Sequence, residues 1–80
     1  MNWRSMGTRT MILGHLEQAE RYVEQGAERV ERQTRLVTEL ERAKRDTTHA
    51  RKLLANFQEW QAMHIAERAR LQKLLSEASN

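Results

Sequence analysis

Lys44-Arg45-Asp46-Thr47-Thr48 is the one stretch at which helix propensity and hydrophobic patterning falter together in this chain. Asp46, Thr47 and Thr48 carry side-chain oxygens that accept hydrogen bonds from the free N–H groups opening a helix. Lys44 and Arg45 suit the negative end of a helix that finishes just before them. The stretch therefore reads as a stop followed by a start. It predicts a first helix over about 10–44, a turn at about 45–47 and a second helix over about 48–77. No glycine stands there to supply a left-handed cap. A seam that stays in phase through Ala43, Thr47 and Ala50 keeps one unbroken helix of roughly 100 Å as the rival.

On both sides of this stretch, apolar residues recur at steps of three and four. Before it run Ile12, Leu16, Ala19, Val23, Gly26, Val30, Gln33, Val37 and Leu40; after it run Ala50, Leu54, Phe57, Trp60, His64, Leu71, Leu75 and Ala78. That period belongs to helices burying one stripe and suits no strand. The two segments are nearly equal in length, which favours folding back at Asp46. Such a fold sets Leu36 and Val37 against Phe57, Val30 against Met63 and His64, Val23 against Leu71, and Leu16 against Ala78. Gln33 then falls opposite Trp60, where its amide oxygen would accept the indole N–H.

The apolar arc of the second helix spans roughly 200°, wider than one partner helix covers. The expectation is an all-α, antiparallel two-helix hairpin that dimerises into a four-helix bundle. Phe57, Trp60, Leu71, Leu75, Val23, Val30 and Val37 are the expected oligomer interface.

With 80 residues, the chain has room for one domain, read as residues 10–80 behind a flexible tail at 1–9 that contains Trp3. No cysteine is present to form a disulfide or a thiolate metal site, and no proline interrupts a helix. The lack of cysteine suits a reducing cytoplasm, the expected location. Fourteen Lys and Arg against eleven Asp and Glu leave a net charge of only +3. Acids and bases interleave as Glu17/Arg21, Glu28/Arg32, Glu31/Arg35 and Glu41/Arg45, the spacing of a solvated helix face. Met11-Ile12-Leu13 is far too short for a membrane span, so no membrane association is expected.

His15, His49 and His64 are too dispersed along a hairpin to share an ion, and His64 with Glu67 is a single i,i+3 pair, so neither metal nor cofactor is expected. Asp46, the sole aspartate, reads as a cap rather than a catalyst. With no phosphate loop and no nucleophile–base pair, the chain does not read as an enzyme. Gly26 lies mid-helix, where glycine costs about 1 kcal/mol against alanine. It either admits a bulky neighbour such as Tyr22 or Leu71 or is a tolerated defect. Around the turn, Arg42, Lys44, Arg45, His49, Arg51 and Lys52 form a basic cluster. Helix-end compensation explains most of it; contact with an anionic partner is the alternative use, through Arg42, Lys44, Arg45, Arg51 and Lys52.

These residues point to a non-enzymatic helical module that self-associates as a homodimer and binds another protein. The alternative is a small nucleic-acid-associated protein using the basic turn, although no aromatics interleave with its cations.

His15-Leu16-Glu17-Gln18-Ala19-Glu20-Arg21, Gly26, Arg32-Gln33, Asp46-Thr47-Thr48, Ala50-Arg51-Lys52-Leu53-Leu54-Ala55-Asn56-Phe57 and Gln61-Ala62-Met63-His64 also resemble short uncharacterised helical proteins common in rhizobia and related alphaproteobacteria. The likeness spans about residues 12–75 and consists of helix residues, with no catalytic signature. Those proteins commonly carry glycine where this chain has Lys44, which implies a turn there. They also tend to carry histidines at the positions of Tyr22 and Arg29, so any histidine ladder would be lost here. The resemblance implies a bacterial cytosolic protein and supplies no activity.

Overall fold

A computed structural model describes the backbone of residues 3–78 and the side-chain environments of residues 7–78. Two helices, α1 (Trp3–Arg42) and α2 (Thr48–Ala78), fold back on each other as an antiparallel hairpin. The molecule is a rod of 66 × 14 × 14 Å.

Helix α1 begins seven residues earlier than expected, so the region read as a tail is helical from Trp3 onward. No proline stops it, and extending a helix already anchored by the seam at Ile12 needs no new nucleus. Met1, Asn2 and the side chain of Trp3 lie outside the described residues.

The turn closes without glycine. Lys44 takes a left-handed backbone conformation, φ 56°. Its N–H donates to Glu41 C=O at 3.0 Å and the Arg45 N–H donates to Leu40 C=O at 2.9 Å. This pair of bonds is the Schellman pattern, which satisfies the last carbonyls of α1. Asp46 then starts α2. Its Oδ1 accepts from the Thr48 amide at 2.9 Å and from the Thr48 hydroxyl at 2.7 Å. Those bonds, the amide first, hold the Asp46 carboxyl below the usual carboxylate range. Thr47 C=O accepts from Arg51 N–H at 2.8 Å, the first rung of the new helix.

The α1 seam follows the sequence pattern: Ile12, Leu16, Ala19, Gly26, Gln33 and Val37 are buried, and Val23, Val30 and Leu40 are half-buried. In α2 the seam runs Ala50, Leu54, Phe57, Gln61, His64, Arg68, Leu71 and Leu75, all buried or half-buried. Gln61 therefore takes the place expected for Trp60. The pairing also shifts by about one heptad toward the turn. Leu71 packs with Leu16 and Ala19, joined by Leu74 and Leu75, rather than with Val23.

Two glutamines pin this register. Gln33, buried, donates Nε2 to Ala50 C=O at 2.9 Å, and does not meet the Trp60 indole. Gln61 returns the contact, donating Nε2 to Val23 C=O at 2.8 Å. The room for Gln61 comes from Gly26. A Cβ there would overlap Gln61 Oε1 and stand 2.8 Å from its Cδ. Gln61 Oε1 is buried with no hydrogen-bond donor among the described residues. It lies where Gly26 presents a Cα–H, a weak donor. The occupant of the Gly26 gap is thus Gln61, and neither Tyr22 nor Leu71. Sliding either helix by a turn would strand both amides, so the seam discriminates against other registers.

Candidate interaction surface

With Gln61 and His64 in the seam, Trp60 and Met63 lie on the flank of α2. Trp60 is 49% exposed and Met63 67%. On the adjoining flank of α1, Tyr22 and Leu36 are also exposed. Counting heptads, Tyr22, Arg29 and Leu36 repeat at intervals of seven, as do Leu53, Trp60, Glu67 and Leu74. These rows border the same side of the hairpin. Tyr22, Trp60, Met63, His64 and Glu67 line one groove there. The neighbouring groove, toward the open end, is lined by His15, Gln18, Tyr22, Glu67 and Arg70.

Ring contacts hold this side in place. Tyr22 and His64 stack obliquely across the two helices, with centroids 5.4 Å apart. The Tyr22 hydroxyl accepts from Gln18 Nε2 at 2.6 Å. Phe57 and Trp60 lie 5.8 Å apart, and the Arg29 guanidinium sits 5.7 Å from the centre of the Phe57 ring. A cation over a ring is held by the ring's quadrupole and covers its outer face. Glu67 is paired with Arg70 on its own helix, an arrangement that leaves the groove edge neutral. The opposite flank holds a shallower apolar groove of Ala27, Val30, Gln58, Gln61, Ala62 and Ile65.

Of the seven residues expected at an oligomer interface, six belong to the seam within one chain. Val37 and Leu71 are buried there, and Val23, Val30, Phe57 and Leu75 are half-buried. Trp60 alone of the seven remains outward. Tyr22, Leu36 and Met63 are outward with it, although the residue pattern had set Leu36 against Phe57 and Met63 against Val30 across the hairpin; Met11, Leu13 and Ile65 are exposed as well. Stepping back strictly from Leu71 by threes and fours reaches Arg68, His64, Gln61 and Phe57. That count puts Trp60 and Met63 outside.

At the turn end, Arg42, Lys44, Arg45, His49, Arg51 and Lys52 are all exposed. Glu41 pairs with Arg51 across the turn at 3.0 Å, in place of the expected Arg45. Arg51 Nε also donates to Thr47 Oγ1 at 2.9 Å, so this cation is committed to closing the hairpin. Of the other interleaved pairs, Glu31 and Arg35 do close on the surface of α1. Among the described residues, no three His, Asp or Glu side chains gather into a metal-binding group. No described helix is long and apolar enough to cross a membrane.

The accessible surface is 6422 Å². A compact folded chain of 9.5 kDa exposes about 5,000 Å², so this one exceeds the globular norm by about 1,400 Å². A standard interface buries about 800 Å² per partner. Compared with known protein families, curated proteins and solved structures, the chain matches none.

Proposed function

We propose that this chain is a non-enzymatic helical interaction module that self-associates through the side bearing Tyr22, Leu36, Trp60 and Met63. Two hairpins then pack as a four-helix bundle and leave the turn end free to contact another protein. The observation that carries this reading is the placement of Trp60 and Met63 outside a seam already filled by Gln61, His64 and Leu71. Tyr22, Leu36, Trp60 and Met63 share one side of the rod, with Ile65 exposed on the other, and covering that side favours association at roughly 25 cal/mol per Å² of apolar area. Sedimentation equilibrium across micromolar concentrations tests it. The wild-type chain dimerises, while Trp60→Glu combined with Met63→Glu stays monomeric and shows weaker thermal stability that no longer depends on concentration. A wild-type chain that remains a fully helical monomer at 100 µM, a concentration at which a bundle of about micromolar affinity assembles, overturns the reading.

The exposed cations at the turn favour a second use, contact with phosphate-bearing nucleic acid. Its affinity would fall steeply with salt, and the slope would shrink in Arg45→Ala and Lys52→Ala. Absence of a complex in a low-salt mobility shift eliminates it.

A further inference from the structure

The hairpin reverses at a residue that disfavours the conformation it takes. Among the described residues, Lys44 alone has a positive φ, 56°. That conformation crowds Cβ against the following carbonyl oxygen and disfavours a lysine by about tenfold. No glycine or proline stands between Leu40 and Ala50, so nothing in this stretch bars a continuous helix. Straightening it gives up no carbonyl partner. In the turn, the Lys44 N–H donates to Glu41 C=O and the Arg45 N–H to Leu40 C=O. In a helix the same two amides exchange acceptors, Lys44 donating to Leu40 and Arg45 to Glu41. The turn keeps in its favour the Asp46 cap on Thr48 and the exposed Glu41–Arg51 pair, of which the cap contributes more.

A straightened chain uncovers its whole seam, and the facing pairs name what fits there. Leu16 meets Leu71, Tyr22 meets His64 and Gly26 meets Gln61. Each pair is centred on Ala43–Lys44. Two straight chains laid antiparallel, with a two-fold axis at that point, remake these contacts with each α1 against the other copy's α2. The bonds from Gln33 to Ala50 and from Gln61 to Val23 re-form between chains in the same register. The seam also continues through the former turn. Half-buried Leu40, exposed Ala43 and half-buried Thr47 lead to buried Ala50 at steps of three, four and three. At the axis Ala43 faces its own copy, and Leu40 faces Thr47. Glu39, Glu41 and Asp46 stand among Arg42, Lys44 and Arg45, so the crossing brings both signs of charge together.

We propose that a second copy of this chain takes the place of α2: the hairpin opens at Lys44, and two chains exchange α2 to form an antiparallel pair of continuous helices. Exchange of this kind needs no contact surface beyond the one that closes the hairpin. It is separate from association through the Trp60–Met63 side, which leaves each hairpin closed. At micromolar concentration closure within one chain prevails, because a short turn holds its helices at an effective concentration of about millimolar. Strain at the two copies of Lys44 favours exchange by about a hundredfold, and the two Asp46 caps oppose it by about thirtyfold.

The chain has no cysteine, and Glu28 and Glu59 are exposed positions that face each other across the helices. Chains carrying nitroxides at Glu28→Cys and Glu59→Cys are mixed into excess unlabelled protein and unfolded in urea. They are refolded at total concentrations of about 5 µM and about 1 mM, below and at the effective concentration of the turn. Pulsed dipolar spectroscopy and sedimentation are read on the same samples. At the lower concentration only the hairpin distance of about 15–25 Å is expected. At the higher one a second distance of about 46 Å, thirty-one residues of straight helix at 1.5 Å each, accompanies dimer mass. Asp46→Ala lowers the concentration at which the long distance emerges by about thirtyfold, and Lys44→Gly raises it by about a hundredfold. A wild type that keeps only the short distance at about 1 mM overturns the exchange, and dimer mass with that short distance means closed hairpins packed side to side. A long distance as abundant in Lys44→Gly as in the wild type overturns Lys44 as the hinge.

Discussion

Gly26→Ala and Gly14→Ala make the same chemical change in the same helix and are expected to act with opposite sign. A helical glycine replaced by alanine gains about 1 kcal/mol in propensity. At Gly14 a new Cβ meets nothing within 4 Å, so that gain is realised. At Gly26 the new Cβ overlaps the Gln61 amide, which must swing out. Swinging out gives up the bond to Val23 C=O, worth about 0.5–1.5 kcal/mol net. It also uncovers apolar area around the side-chain end, roughly 40 Å² or about 1 kcal/mol. The sum places Gly26→Ala at about 0.5–1.5 kcal/mol below the wild type. In a Gln61→Ala background the obstruction is gone and the same alanine stabilises by about 1 kcal/mol. The coupling energy between positions 26 and 61 is therefore about 1.5–2.5 kcal/mol, well beyond the roughly 0.3–0.5 kcal/mol within which independent sites add. Urea titrations read by circular dichroism, at one fixed protein concentration, supply all five stabilities. Additivity between Gly26→Ala and Gln61→Ala would refute the lock between glycine and glutamine.

Lys44→Gly removes the strain of a left-handed non-glycine residue, about 1–2 kcal/mol, against a greater loss of unfolded-chain entropy, and should raise stability by about 0.5–1 kcal/mol in the same titration; a lower urea midpoint would argue against the Schellman closure. Leu71→Ala opens a hole against Leu16 and Ala19 and should cost about 2–3 kcal/mol, read as a large drop in melting temperature, whereas Glu28→Ala at the solvated face should change it little. Asp46 has a lowered folded-state pKa, so its contribution is fully present above the ordinary carboxylate range. That contribution is lost as pH falls through the lowered value. Thermal melts of the wild type should therefore show an acid decline that Asp46→Asn flattens.

The features legible in the sequence were those governed by local chemistry. Asp46 announces the start of α2 through the carboxylate oxygen that accepts from the Thr48 amide and hydroxyl, and the α1 seam is a repeat at steps of three and four from Ile12 to Leu40. The α2 seam was harder to read because polar Gln61 and Arg68 occupy positions that size and hydropathy award to Trp60. A long polar side chain at a seam position looks like an interruption until its hydrogen-bond acceptor, here a carbonyl on the facing helix, is known. The register error followed from centring the fold on Asp46, whereas the chain reverses at Lys44, which carries Leu71 from Val23 to Leu16. Trp60 and Met63 thus moved from the hairpin's interior to the surface proposed for association. Lys44 hid the turn's geometry for a different reason. Left-handed conformation is announced by glycine, and a lysine adopts it only where two backbone hydrogen bonds hold it there.

Closure of α1 on α2 within a single chain, leaving Tyr22, Trp60 and Met63 outside, is tested most directly by one intramolecular distance. Spin labels at Glu17→Cys and Lys73→Cys, both exposed positions, are measured in doubly labelled chains diluted into excess unlabelled protein. The hairpin predicts a separation of about 15–25 Å, neighbouring helices plus label arms. A distance near 84 Å, the span of fifty-six residues in one continuous helix at about 1.5 Å each, would contradict it.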